Sequence, residues 1–267
     1  MITYPFTYKR ARSVAEAEAL LKAAPDGKLL AGGQTLIAAM KMRLANPSDL
    51  IDISGIEELR HVRASGDAVV IGAGTTHYEV ASSAVVAKAV PALAHLASLI
   101  GDPAVRHKGT LGGSVANNDP AADYPAAVLG LGATIRTSRR AIAADDFFQG
   151  MFATALEDGE IVTEISFPVP QKAAYRKFPN PASRYAMAGA FVARLKDGSI
   201  RVAITGAAPC VFRVPEMEAA LAKSFTPEAV AGIAVDAAAL NSDIHGSAEY
   251  RAHLVTVMAK RAVADAA

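Results

Sequence analysis

The sequence predicts an α+β fold in which two α/β units precede a C-terminal α+β unit. Three observations predict it. Strand and helix signals alternate over roughly residues 1–55 in a βαβ-like order. Two adjacent-glycine segments, Gly32-Gly33 and Gly112-Gly113, each sit between an apolar run and a helical pattern. Beyond residue 170, strand-like runs come first and helical runs last, the mark of a separate α+β unit. The resulting division is 1–170, with halves at about 1–55 and 56–170, followed by 171–267.

In chain order, Ser13 and Glu16 read as a capping box ahead of the helical run VAEAEALLKAA. Residues 28–31 form a short apolar strand running into Gly32-Gly33. LIAAMKMRL reads as a helix stopped by Asn46-Pro47, and residues 50–53 as a strand. HVRASGDAVVIGAG is a hairpin turning at Ser65-Gly66-Asp67. Residues 85–99 are helical with a break at Pro91. A glycine loop spans 109–123, a short helix follows in PAAVLGLG, and strands follow in ATIRT and EIVTEISFPVP. After a boundary near Pro168 to Lys172, AMAGAFVARL and IRVAITGAA form an antiparallel hairpin about Lys196-Asp197-Gly198-Ser199. Helices at about 215–222, 227–239 and 247–265 close the chain.

Composition narrows the function. The 267 residues carry a formal net charge of +1 with no basic stripe, which disfavours nucleic acid as the main partner. No run is long and apolar enough for a membrane helix, and the N-terminal residues show no secretory signal, so a cytoplasmic location is expected. Cys210 is the single cysteine, leaving no internal disulfide and no cysteine-ligated cluster on this chain. The six histidines are scattered without ligand spacing, and no metal site is assigned. Redox chemistry would therefore come from an organic cofactor.

The chemistry concentrates in the glycine segments. Adjacent glycines flanked by Thr, Ser or Gln let backbone N–H groups converge on an anion without bulky side chains. Two such segments in one chain suit a dinucleotide pyrophosphate gripped from two sides. Neither reads G-x-G-x-x-G, and no phosphate-binding G-x-x-x-x-G-K-[ST] occurs, which disfavours ordinary NAD and ATP sites. Gly72-Ala-Gly74 reads mainly as a tight turn, with Thr75, Thr76 and His77 as possible ligand neighbours. Asp123 either accepts from ligand hydroxyls or caps the helix starting near Pro125. Asp119 reads as a turn residue, and Arg106 as a surface charge or a phosphate partner. Lys177 and Tyr185 flank the unit junction, where the bland readings are a solvated strand lysine and a packed aromatic. Cys210 reads as a small buried hydrophobe. No Ser/His/Asp or Cys/His set points to covalent catalysis.

Taken together, AGGQTL at 31–36, IGAGTTH at 71–77, IGDPAVRHKGTLGGSVANNDPAADYPA at 100–126, EIVTEISFP, YRKFPNPASRYAMAGAF and DIHGSAEYRAHLVTVMAKRAV resemble the FAD-binding medium subunits of molybdenum hydroxylases. That family includes the flavoprotein of aerobic carbon monoxide dehydrogenase and the flavin domain of xanthine dehydrogenase, and the resemblance covers essentially the whole chain. It implies a vanillyl-alcohol-oxidase (PCMH)-type FAD-binding domain of two α/β subdomains plus a C-terminal α+β domain. It further implies that Ala31, Gly32, Gly33, Gln34 and Thr35, with Thr110, Leu111, Gly112, Gly113 and Ser114, hold the pyrophosphate through backbone amides. On the same basis Asp123 binds the ribityl or ribose side, and Ile100 lies near the adenine. Val162 and Lys177 contact the flavin end, with Tyr185 close to the isoalloxazine ring. His107 stands where the family usually has asparagine.

The implied role is an electron-transfer oxidoreductase subunit carrying FAD. A large partner would hold the molybdenum cofactor and a small one two [2Fe–2S] clusters, as a dimer of heterotrimers. The protein's part is to bind, orient and tune the flavin, so no catalytic acid or base is named. Carbon monoxide, a purine or an aromatic heterocycle remain open as substrate, and quinone, NAD or oxygen as acceptor. The alternative is a self-contained flavin oxidoreductase of the same fold acting on a small organic substrate. A third possibility is a nucleotide-binding module without redox function.

Overall fold

The computed structural model describes residues 2–266; Met1 and Ala267, which bound the expected units, lie outside the described residues. The first unit runs β1 (Thr7–Arg10), α1 (Val14–Ala23), β2 (Gly27–Leu30), α2 (Leu36–Lys41) and β3 (Asp49–Asp52). Its sheet has the order β1-β3-β2 with parallel pairing, Asp49 lying opposite both Thr7 and Gly27. Strand β1 carries no strong alternation and escaped the sequence reading. Only half of the capping box forms. Ser13 Oγ accepts from the Glu16 N–H at 3.1 Å, while the Glu16 carboxylate accepts from Arg12 N–H rather than from Ser13. Helix α2 ends before Asn46-Pro47, because Arg43 adopts a left-handed φ of 61°. A small core of Ala17, Ile51, Ile56, Leu59 and Ile161 fastens this unit to the second.

The second unit begins with the hairpin β4 (Val62–Ser65) and β5 (Ala68–Gly72), turned at Gly66 with φ 58°. Helices α3 (His77–Ser82), α4 (Ala84–Ala89) and α5 (Pro91–Ser98) follow, the last pair separated at Pro91 as read from the sequence. Next come α6 (Pro103–Arg106), α7 (Leu111–Asn117) and α8 (Tyr124–Gly130). The expected glycine loop is thus largely helical. Thr110 caps α7 by accepting from the Gly113 N–H, and the two glycines are absorbed into its first turn. The unit is completed by β6 (Thr134–Thr137), β7 (Ala141–Ala143), α9 (Ala144–Phe147), β8 (Phe148–Gly150), β9 (Ala153–Thr154) and β10 (Val162–Pro168). Its main sheet is antiparallel in the order β4-β5-β10-β6-β7.

Beyond it lie β11 (Lys172–Pro179), β12 (Ala186–Arg194), β13 (Ile200–Thr205) and β14 (Phe212–Arg213), an antiparallel sheet in chain order. Helices α10 (Pro215–Lys223), α11 (Pro227–Val230) and α12 (Ala248–Ala266) follow. The helix expected over 227–239 shrinks to α11 and a single 3-10 turn at Ala237–Ala239, because Gly232 interrupts it and Asp236 starts the turn afresh by accepting from Ala238 N–H. Strand β12 is buried along both faces. Ala190 and Val192 pack with Leu254 and Met258 of α12 on one side. On the other, Phe191 and Tyr175 join Tyr124 and Val128 of α8 in the core of the second unit. Burial of one aromatic of this size contributes about 2 to 3 kcal/mol, so the C-terminal sheet is a structural wall of the second unit rather than an appendage.

Candidate functional site

A cleft of about 1280 Å³ opens between the first two units, and the loop joining β11 to β12 forms part of its wall. The segment after β2 supplies one side. Gly33 takes a φ of +69°, a left-handed conformation that turns the chain into α2. The N–H groups of Gly32, Gly33, Gln34 and Thr35 have no hydrogen-bond partner among the described residues. Four consecutive free donors in a turned, half-open backbone form an anion-binding concavity. Gly32 is also indispensable sterically. An added Cβ would lie 2.1 Å from the Lys108 carbonyl oxygen and 2.7 Å from Gly109 Cα, so the two units meet backbone to backbone at this point.

On the opposite side the backbone donors are bonded within the fold. The Leu111 N–H donates to Thr75 O at 3.0 Å and the Gly112 N–H to Ala73 O at 2.8 Å. Those of Gly113 and Ser114 donate to Thr110 Oγ1 and Thr110 O, both at 3.1 Å. These amides are committed within the fold, and the Leu111 side chain is fully buried in the core, away from the cleft. Gly112 serves packing, since a Cβ there would meet Ala73 Cβ at 2.4 Å. What this segment offers the cleft is shape and a hydroxyl: the exposed Cα of Gly113, which faces Ala31 across the gap, and half-exposed Ser114. The turn through Gly72-Ala73-Gly74 braces it, and Thr76 is spent in a complete capping box with Glu79.

Asp123 neither caps α8 nor stands free. Its buried carboxylate accepts from Tyr175 Oη at 2.6 Å and from Lys177 Nζ at 3.0 Å. Burial holds the carboxyl above its ordinary range, although the Lys177 ammonium and the Tyr175 hydroxyl oppose the rise. Lys177 also donates to Leu99 O at 2.9 Å, which excludes the solvated-lysine reading. Tyr175 and Lys177 are two apart on β11 and so share one face; that spacing was a usable signal for Tyr175, which the sequence reading missed.

Ile100 and Val162 line the cleft, and Tyr185 reaches it from the C-terminal hairpin with half its surface exposed, so it is not a packed core aromatic. Arg106 is half-buried and donates through Nη1 to Ile100 O and Gly101 O, closing that turn. His107 stacks on Tyr78 with ring centroids 4.2 Å apart. Cys210 is half-buried beside Asn118 Nδ2. His77 lies behind Gly109, buried, with Nδ1 unpaired; desolvation, helped by the Arg106 charge, lowers its pKa to about 4 and keeps it neutral. At the cleft rim Glu160, held by Arg140, is lowered to about 2.

The cleft between the first two units has room for an extended, anionic dinucleotide, and the free donors at 32–35 fit a pyrophosphate. Residues 4–170 match the family described as FAD binding domain in molybdopterin dehydrogenase, and residues 173–266 match the CO dehydrogenase flavoprotein C-terminal domain. The chain belongs to this family of FAD-binding medium subunits of molybdenum hydroxylases, which are oxidoreductase subunits. It is 40% identical over 279 aligned positions to the carbon monoxide dehydrogenase medium chain of Hydrogenophaga pseudoflava, covering 98% of this chain and 97% of that one. It is 37% identical to the nicotine 6-hydroxylase medium subunit of Paenarthrobacter nicotinovorans, covering 97% and 96%. The solved carbon monoxide dehydrogenase of Hydrogenophaga pseudoflava superposes with a TM-score of 0.92 at 41% identity, covering 100% of this chain and 98% of that one. Quinoline 2-oxidoreductase from Pseudomonas putida 86 gives 0.86 at 29% identity, covering 100% and 98%.

Proposed function

We propose that this chain is the flavin-carrying link of a three-subunit molybdenum hydroxylase, receiving electrons from [2Fe–2S] clusters on a smaller partner and passing them to an external acceptor. The larger partner would hold the molybdenum cofactor and set the substrate, the whole being a dimer of heterotrimers. Residues 1–170 act as the FAD unit, in halves of about 1–55 and 56–170, with 171–267 as the C-terminal unit. The observation that carries the reading is the row of free N–H groups at Gly32–Thr35 facing a cleft of dinucleotide size.

FAD bound there would supply two-electron chemistry that can also be delivered one electron at a time. This chain's own residues bind and orient. The amides of Gly32, Gly33, Gln34 and Thr35 take the pyrophosphate. Ala31, Gly113 and Ser114 shape the gap it occupies, with Thr110, Leu111 and Gly112 holding that wall. Ile100 lines the adenine side. Val162 and Tyr185 flank the flavin, while the Asp123–Lys177 pair, held by Tyr175, fixes the wall beside them.

The relatives named above act on carbon monoxide, nicotine and quinoline, so the substrate is not written on this chain. The test is a visible spectrum and subunit count of the untagged protein from its host. Flavin and iron–sulfur absorption with two further chains supports the reading. Flavin on a solitary chain that a small substrate reduces directly would replace it with a self-contained oxidoreductase.

A further inference from the structure

Arg251 of α12 is buried, with 4% of its surface exposed. Nη1 donates to Met187 O at 2.8 Å and to Gly206 O at 3.0 Å, and Nη2 donates to Asp243 Oδ2 at 2.7 Å. Its Nε, also buried, has no partner among the described residues. A buried arginine with one donor left unpaired is kept in place by what its other donors hold. The two carbonyls need it because the sheet gives out between them. Strands β12 and β13 are in register from Gly189 opposite Thr205 to Arg194 opposite Ile200, so Met187 and Gly206 lie beyond the last rung. On the β11 side, Phe178 pairs with Ala188 and Pro179 with Ala186, which makes Met187 the extra residue of a bulge. Met187 is thus skipped by both neighbouring strands. The guanidinium supplies the donor that a further rung would have given, and its rigid fork sets the spacing of the two carbonyls.

One end of this bracket is fixed and the other carries the cleft wall. Gly206 leaves β13 with a φ of +82°, and an added Cβ would lie 2.3 Å from Ala186 O. Its N–H donates to Pro120 O at 2.8 Å, and Thr205 Oγ1 donates to Ala122 O at 2.6 Å, which ties this end to the segment leading into Asp123. At the other end, Met187 is two residues from Tyr185. The Tyr185 N–H donates to Ser183 Oγ at 3.3 Å and its carbonyl accepts from the Asn180 N–H at 2.7 Å, but its side chain makes no hydrogen bond among the described residues. The ring therefore stands where its backbone is held, by Asn180 on one side and by Arg251 through Met187 on the other. We propose that Arg251 is a positioning residue for the flavin: by fixing the Met187 carbonyl against Gly206, it sets where the Tyr185 ring stands on the cleft wall. This rests on the flavin placement in the reading above.

The experiment titrates FAD into the flavin-free full chain and reads affinity and flavin fluorescence. Arg251→Lys keeps the charge but not the planar fork. Asp243→Asn keeps the turn in which Asp243 Oδ1 accepts from His245 and Gly246 N–H, but not the bond to the guanidinium. Each is made alone and on a Tyr185→Ala background, beside Leu254→Ala, which opens a cavity under the same helix. Arg251→Lys should weaken FAD binding about 3-fold and change its fluorescence, with Asp243→Asn moving both in the same direction. On the Tyr185→Ala background neither should weaken it further, because a residue that acts through Tyr185 is not additive with it. Leu254→Ala should lower Tm yet leave affinity and fluorescence at wild-type values. Wild-type binding and fluorescence in Arg251→Lys overturn the proposal, as does an equal loss on both backgrounds or an equal loss in Leu254→Ala. Should Arg251→Lys fail to fold, Asp243→Asn decides by the same criteria. A Tyr185→Ala chain that binds FAD with wild-type affinity and fluorescence overturns the flavin placement itself, a result read without any change at Arg251.

Discussion

Asp123 and Lys177 form an ion pair of 3.0 Å whose side chains are only 4% and 5% exposed, and it joins two different units. Asp123 precedes α8 on the cleft wall, whereas Lys177 comes from β11 of the C-terminal sheet. Tyr175 completes the pair by donating to the same carboxylate. Asp123→Ala would leave a buried ammonium with only Leu99 O as acceptor, so it should destabilise the protein by about 3 to 5 kcal/mol. Asp123→Ala/Lys177→Met should recover much of that loss. Thermal unfolding of the flavin-free chain decides it: a single variant as stable as wild type would remove the pair from the account of how the wall is held.

Two glycines on opposite sides of the cleft should fail in different ways. Gly32→Ala places a methyl 2.1 Å from the Lys108 carbonyl oxygen, forces the two units apart and should lower both Tm and flavin content. At Gly113 an added Cβ stays 3.9 Å from Ala31 Cβ, and its one close neighbour is Thr110 Oγ1 at 2.8 Å. Gly113→Val should therefore fold but fill the gap, reducing flavin per chain at least about 10-fold for a Tm change of a few degrees. Full flavin occupancy in Gly113→Val would show that the pyrophosphate does not pass between these segments.

Acid should weaken the fold in two steps of the same sign. His77 is held neutral to about 4, below its ordinary 6.5, so the unfolded chain takes up a proton that the folded chain refuses. The stability it contributes is complete above about pH 6.5 and declines to about pH 4, by about 3 kcal/mol. Glu160, held at about 2 chiefly by its hydrogen bond from Arg140, extends the decline from pH 4.5 downward. Urea unfolding between pH 7 and 4, compared with His77→Gln, checks the first step. An identical pH slope in the variant would mean that His77 does not carry it.

The sequence made the architecture legible because its signals are local. Gly66 and Pro91 act through backbone conformation, and each sits where the structure turns or breaks. The first glycine segment likewise turns where its spacing predicts, at Gly33. The second is the first turn of a helix rather than a free loop, its donors bonded to Ala73, Thr75 and Thr110, partners that adjacent-glycine spacing does not reveal. Asp123 was open between two local readings because its real partners are 52 and 54 residues away. Buried long-range pairs of this kind leave only a faint trace, here the two-residue spacing of Tyr175 and Lys177 on one strand face.

Tyr185 separates flavin binding from folding. Its loop is tied by Asn180, whose Oδ1 accepts from Ala182 and Ser183 N–H groups at 2.9 and 3.2 Å. The Asn180 N–H in turn donates to Tyr185 O at 2.7 Å. None of these bonds uses the Tyr185 side chain, which is 48% exposed on the cleft wall. Tyr185→Ala should thus change stability by no more than about 0.5 kcal/mol. An aromatic ring stacked on the flavin would nonetheless be lost, weakening flavin affinity by about 0.5 to 1.5 kcal/mol and altering flavin fluorescence. Flavin titration of the apo-chain, followed by fluorescence alongside Tyr185→Phe, measures both effects. The phenylalanine variant should bind like wild type, because the stacking face is kept. Equal affinity and equal fluorescence in all three proteins would place the flavin ring away from this wall.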